Sequence, residues 1–376
     1  MSVITNKILF TASIPLHIRA FHLPYLQWFK NHGYEVHVAC SGYEDLPFVD
    51  KYWDIPFERS PFSTKHFNAF RQLKKVIDKE NFCLINCHTP MTSVLTRLAS
   101  IKARKNGTKL LYTAHGFHFF KGASFINWLL FYPIELYLTK ITDAIICINQ
   151  EDFKLIQKKG SSNCAYYIIP GIGVNNSRFF KISTTQKNAL RSKFNFKKDE
   201  LLLIYAAEYI PRKNHEFIVN TVKKRPRVFK NTKILFAGKG ELENSLKEMV
   251  NREGLENKIK FLGFRKDIDQ IYQMCDVGIS ASKQEGLGLN LIEEMMCGLP
   301  IIATVDRGHK EVVDHKVNGF LYPQNDEKQF CKSVLILKNK PDVTKQFSIN
   351  AVAKAQKFEL SNSVRIMTKI YKKYLP

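Results

Sequence analysis

Short apolar runs alternate with amphipathic segments through the first half of the chain. KILFTA, EVHVAC, CLINCH, KLLYTAHG and AIICIN read as strands. Helices are expected between them, as in LPYLQWFKNHG, where Leu23, Leu26, Trp28 and Phe29 take the apolar positions and Gly33 suits the left-handed backbone after a helix end. This β-α-β-α order predicts a parallel sheet with helices on both faces. The segment YYIIPGIGVNNSRFFKISTTQKNALRSKFNFKKDE breaks the rhythm with Pro170, Gly171, Gly173 and a polar, basic stretch, and it marks the domain boundary. A second alternating series follows in LLLIYAAE, TKILFAGKGE, KIKFLGF, VGISAS and PIIATV, so the same architecture is built twice. The expected chain is α/β, with two doubly wound parallel-sheet domains, residues 1–170 and 171–360, facing each other across a cleft. An amphipathic helix over 361–376 closes the chain and is expected to pack back toward the first domain.

A length of 376 residues with 45% hydrophobic content also exceeds the usual single domain. The formal charge of +23 attracts anions at long range, which admits nucleic acid, anionic lipid headgroups or phosphorylated small molecules. No zinc-finger spacing, RNA-recognition aromatic motif or helix-turn-helix signal accompanies that charge, so no nucleic-acid partner is expected. The eight cysteines are scattered without a CxxC pair; Cys83 and Cys87 lie in FCLINCH, a buried strand by pattern, and reduced, buried thiols in a cytosolic protein are expected. MSVITN runs straight into KILFTAS, leaving no room for a signal peptide. The greasiest stretch, FINWLLFYPIELYLTKITDAIICIN, is interrupted by Pro133, Glu135, Lys140 and Asp143, short of the roughly twenty apolar residues that cross a bilayer. Its Trp128, Leu129, Phe131 and Tyr132 suit either a helix core or, beside RQLKKVIDKE and IKARKNGTK, the face of an anionic membrane.

Chemistry concentrates in SASKQEGLGLNLIEEMMCGLPIIATVDRGHKEVV, which sets a strand, a glycine-containing turn, a helix and a strand in succession. The turn Glu285, Gly286, Leu287, Gly288, Leu289 offers backbone N–H groups ahead of a helix N-terminus, a natural cradle for a diphosphate. Glu285 in the turn and Glu293 in the helix can accept hydroxyls from two different sugars of one ligand. Lys213 in YAAEYIPRKNHEF can neutralise phosphate charge as a point cation. His115 in YTAHGFHFF follows a strand, at the end where α/β proteins place ligands, and His88 in NCHTP holds a similar position. Gly238 in FAGKGE and Gly263, Phe264 and Arg265 in FLGFRKDID follow two further strands. GKG is only a fragment of a dinucleotide fingerprint, which weighs against a dehydrogenase.

The stretch from Glu285 to Glu293 resembles the E-x7-E motif of retaining glycosyltransferases of family 4, enzymes with the GT-B fold of two Rossmann-like domains. The resemblance spans nearly the whole chain, taking in TAHGF and PGIGV, and extends to enzymes of capsular, exopolysaccharide and lipid-linked glycan assembly. It implies that Glu285 contacts the transferred sugar, Glu293 the ribose, Lys213 the diphosphate, the 263–265 loop the base, and that His115 stands near the donor sugar. Where the family has an arginine five residues before the lysine, this chain has Glu208, which leaves Arg212 as the second candidate cation. The resemblance further implies a UDP-linked donor, a polyprenyl-diphosphate-linked or other glycan acceptor, no bound metal or other cofactor, and a place on the cytoplasmic face of the cell membrane. Three rivals remain at this level: an epimerase of the same architecture acting on nucleotide-sugars, a basic nucleic-acid-binding protein, and a catalytically dead subunit that keeps the fold, suggested by Glu208 at the expected arginine position.

Overall fold

The structure is a computed structural model and describes residues 5–376. The chain forms two compact units; the first runs to Gly173 and takes in Ser361–Pro376, and the second is Val174–Leu360. In the first unit seven strands, β1 (Lys7–Thr11), β2 (Glu35–Cys40), β3 (Lys51–Asp54), β4 (Leu84–His88), β5 (Lys109–Ala114), β6 (Ala144–Cys147) and β7 (Ala165–Ile168), lie in the order β3-β2-β1-β4-β5-β6-β7. In the second, β8 (Leu201–Ala206), β9 (Thr232–Ala237), β10 (Ile259–Gly263), β11 (Val277–Ser280), β12 (Ile301–Thr304) and β13 (Gly319–Tyr322) lie in the order β10-β9-β8-β11-β12-β13. Neighbouring strands in both sheets are parallel. Burial on both faces explains the unbroken apolar runs: every residue of β4, β6, β11 and β12 is buried.

Each sheet reverses its order once, between β1 and β4 and between β8 and β11. Loops leaving adjacent strands there turn to opposite sides and open a crevice at the carboxyl ends, the usual ligand position in such sheets.

Three strands escaped the apolar pattern. β3 (KYWD), β7 (AYYI) and β13 (GFLY) are four residues each, and the first two are only half-buried, so neither length nor alternation distinguishes them from loops. The polar stretch assigned to the domain boundary contains a helix, Thr184–Lys193, started by a capping box in which Ser183 and Gln186 satisfy each other's backbone N–H groups. Its Ser-x-x-Gln spacing was the readable signal.

The apolar segment after Ser124 is the helix Phe125–Thr139. Trp128, Phe131 and Tyr132 pack on the core of the first unit. Phe125, Ile126, Leu129 and Ile134 face outward, Phe125 at 78% and Leu129 at 61% exposure. Among the described residues no helix is long and apolar enough to cross a membrane. Among the described residues all eight cysteines are buried and none is joined in a disulfide.

Candidate functional site

The crevice between β8 and β11 gathers most of the residues singled out from sequence. After β8 the chain makes a short 3-10 turn, Pro211–Lys213, which carries Arg212 and Lys213; after β11 it enters the turn that holds Glu285. Lys213 Nζ donates to Glu285 Oε1, and Arg212 Nη1 donates to Glu285 Oε2 at 3.2 Å and to the Gln284 carbonyl at 2.6 Å. Both cations therefore point to one carboxylate, although they are adjacent in sequence, because the tight turn swings their side chains to the same side. Burial opposes ionisation of Glu285, but Lys213, Arg212 and His309 outweigh it and hold the carboxyl down at about 2. It is a carboxylate at any physiological pH.

The turn is fixed from behind by the next loop. Asp306, which caps the helix Arg307–Val312, accepts from the Glu285 N–H at 3.0 Å and from the Gly308 N–H at 2.8 Å. Gly308 permits this contact: a Cβ there would lie 2.7 Å from Leu287 N and 2.8 Å from the Glu285 carbonyl oxygen. Gly288 caps the helix Leu289–Met296 in the left-handed region, φ 86°, which turns the preceding amides toward the helix start. His309 lies beneath, its Nδ1 2.9 Å from the Thr304 carbonyl oxygen. Sequence reasoning missed Asp306 and His309; the signal was their place immediately after β12, at the same sheet edge.

Glu293 lies one turn along the same helix and accepts from the Tyr272 hydroxyl at 3.3 Å. Burial pushes its carboxyl up to about 7, against the pull of Tyr272 and Arg178. The next residue, Glu294, is fully buried, and a Cβ on Gly278 would fall 1.9 Å from its Oε2, so the glycine in β11 makes room for that acid. Gly238, after β9, donates its N–H to the Gly263 carbonyl at 2.9 Å, which joins those two loops. Phe264 is exposed, whereas Arg265 is engaged by Asp267 at 2.6 and 2.8 Å.

His115 belongs to the first unit and meets its partners there. It stands after β5 with His88 from the end of β4 and His17 and His22 from the segment after β1, the other sheet's reversal point. His115 Nε2 is 3.3 Å from His17 Nε2 and 3.3 Å from His88 Nδ1. Burial lowers the His115 imidazole to about 4 and holds His17, His22 and His88 well below their ordinary value, so the four rings are neutral.

Two family matches cover the two halves. Residues 7–149 match the family described as Glycosyl transferase 4-like, and residues 186–354 match Glycosyl transferases group 1. A Bacillus subtilis (strain 168) protein that carries the glycosyltransferase name EpsD is 40% identical over 374 residues, 99% of this chain and 97% of its own length. The Escherichia coli UDP-Gal:alpha-D-GlcNAc-diphosphoundecaprenol alpha-1,3-galactosyltransferase is 26% identical over 82% of this chain and 78% of its own. Among solved structures, Anabaena Alr3699/HepE in complex with UDP and glucose superposes with a TM-score of 0.77 at 23% identity, covering 98% of this chain and 99% of that one. Identity of this order across both units, on two parallel sheets of GT-B type, places the chain among the group 1 glycosyltransferases.

Proposed function

We propose that this glycosyltransferase retains anomeric configuration and moves a hexose or N-acetylhexosamine from a UDP-linked donor to a polyprenyl-diphosphate-linked or other glycan acceptor in surface polysaccharide assembly. The observation that carries the reading is the Glu285 carboxylate, held by Lys213 and Arg212 beside the Gly288-capped helix start. A diphosphate seated there meets two cations, the turn amides and the positive end of the helix dipole, and Glu285 is left to grip sugar hydroxyls. In the proposed step the acceptor hydroxyl oxygen attacks the sugar's C1 from the face that the nucleoside diphosphate leaves. The bond from C1 to the diphosphate oxygen breaks, and the acceptor proton passes to that oxygen. Lys213, Arg212 and the amides carry the growing negative charge, the main source of acceleration, and no metal is assigned to the step.

The relatives favour the finer choices. The E. coli relative is named for a UDP-sugar donor and a lipid-diphosphate acceptor, and Alr3699/HepE holds UDP. The outward stripe of the helix Phe125–Thr139 borders an apolar cavity of about 180 Å³ lined by Pro61, Phe62, Met91, Phe117, Leu130 and Ile134. With a formal charge of +23, such a surface suits the acyl and headgroup zone of an anionic membrane, here the cytoplasmic leaflet. The test is a screen of UDP- and GDP-sugars against lipid-linked acceptors in anionic vesicles, with product anomericity and vesicle flotation recorded. A retained linkage from a UDP-sugar and co-flotation at low salt are expected; inversion overturns the mechanism, and protein that never floats overturns the membrane reading.

Glu293 adds a pH dependence. A carboxylate accepts ribose hydroxyls more strongly than a protonated acid does, so the donor KM is expected to fall as pH rises through about 7. Glu293→Gln should flatten that profile, and a wild-type KM that is level across the same range removes Glu293 from donor binding. Stability runs the other way. The folded-state value lies above the ordinary 4.5, so the native state holds the extra proton, and unfolding becomes easier as pH climbs from 4.5 to about 7.

A further inference from the structure

We propose that His17, His22, His88 and His115 bind one zinc ion, which clasps together the segments leaving β1, β4 and β5 in the first unit. One ring nitrogen from each histidine lies within 4.8 Å of the others, and no carboxylate or thiol belongs to the set. The separations of 3.3 Å from His115 Nε2 to His17 Nε2 and to His88 Nδ1 carry the argument. Four nitrogens bound tetrahedrally at about 2.0–2.1 Å lie about 3.3 Å apart along each edge. Ring centroids in such a site are about 5 Å apart. Five of the six pairs here range from 4.7 to 6.0 Å. The sixth, His22 with His88, is 3.8 Å and must open slightly to admit the ion.

Hydrogen bonding alone accounts poorly for the arrangement. Two imidazoles converge on the same nitrogen of His115, both beyond the usual 2.7–3.2 Å. Neither ring nitrogen of His22, nor Nε2 of His88, has a hydrogen-bond partner, and both residues are fully buried. Buried polar atoms left so are costly, and a cation that takes the convergent lone pairs removes part of that cost.

Imidazole donors without carboxylates select zinc and its neighbours over magnesium, calcium or manganese. Four protein ligands leave no open position, the pattern of a structural zinc, so the ion takes no part in expelling the nucleotide. Its effect is positional: ligation through Nε2 fixes the orientation of the His115 ring within the first unit.

The experiment titrates chelator-treated full-length protein with cobalt(II), followed by zinc. One equivalent of cobalt with the visible bands of a tetrahedral nitrogen site, displaced by one equivalent of zinc, and a melting temperature raised by zinc are expected. His22→Ala and His88→Ala should each lose the bands, whereas His118→Ala should keep them. Wild-type protein that shows no tetrahedral cobalt spectrum overturns the site, and so does a spectrum unchanged in both cluster variants. The wild-type titration decides the matter even if a variant fails to fold. Sugar-transfer chemistry is tested separately by the donor screen, so either result can fail alone.

Discussion

Glu285→Ala is expected to lower turnover at saturating donor on the order of 10²-fold or more while UDP still binds. The carboxylate is the one negative charge that both Arg212 and Lys213 grip, and it stays ionised far below neutral pH. Its removal leaves both cations free for the diphosphate, so nucleotide affinity should hold or rise. The group that orients the transferred sugar is lost, and that loss appears in kcat rather than in nucleotide binding. The core of the second unit, built on Leu203, Ile234, Ile279 and Ile302, is untouched, so thermal unfolding serves as the control. Calorimetry with UDP beside a turnover assay decides it: near-normal turnover excludes Glu285 from the mechanism, and lost UDP binding makes it part of the nucleotide site instead.

The largest expected effect on stability lies in the first unit. Arg97 is fully buried and donates to both oxygens of Glu135, at 2.9 and 2.7 Å, with further bonds to the Ser93 carbonyl at 3.2 Å and hydroxyl at 3.1 Å. Its guanidinium also lies 4.3 Å from the Tyr112 ring centre. Removal of either partner strands a charge away from water, which costs about 3–5 kcal/mol. Arg97→Met should therefore destabilise the first unit by about that amount, whereas Arg97→Met with Glu135→Leu should recover most of it, because an apolar pair of similar volume carries no desolvation debt. Urea unfolding of the single and double variants checks both halves; a single variant within about 1 kcal/mol of wild type would show that water reaches the pair. Glu135 sits on the helix with the outward apolar stripe, so this ion pair also fixes how that stripe is presented.

Legibility from sequence followed the physics of each feature. Strands buried on both faces, such as β4, β6 and β12, announce themselves as unbroken apolar runs, whereas the half-buried β3 and β7 do not. Glu285 and Glu293 were readable because one turn and one helix carry both, so their spacing is local. Arg212 was readable only as a candidate, since a 3-10 turn and an α-helix would aim it differently. The histidine cluster was hidden: His17, His22, His88 and His115 converge only because the sheet order reverses between β1 and β4, and no spacing along the chain encodes that reversal. The outward stripe after Ser124 was half legible, since apolar character shows in sequence but the side that finds a core does not.

The tail bears on how this molecule comes into being. Tyr371, near the end of the chain, is wholly buried against β4, where its hydroxyl accepts from Asn86 Nδ2 at 2.7 Å, and Tyr374 meets Tyr167. A nascent polypeptide thus emerges with its opening half lacking a piece of its own interior, while Val174–Leu360 is one continuous stretch. The continuous second unit can therefore close on its own, whereas the first unit cannot complete its interior until Ser361–Pro376 has been made.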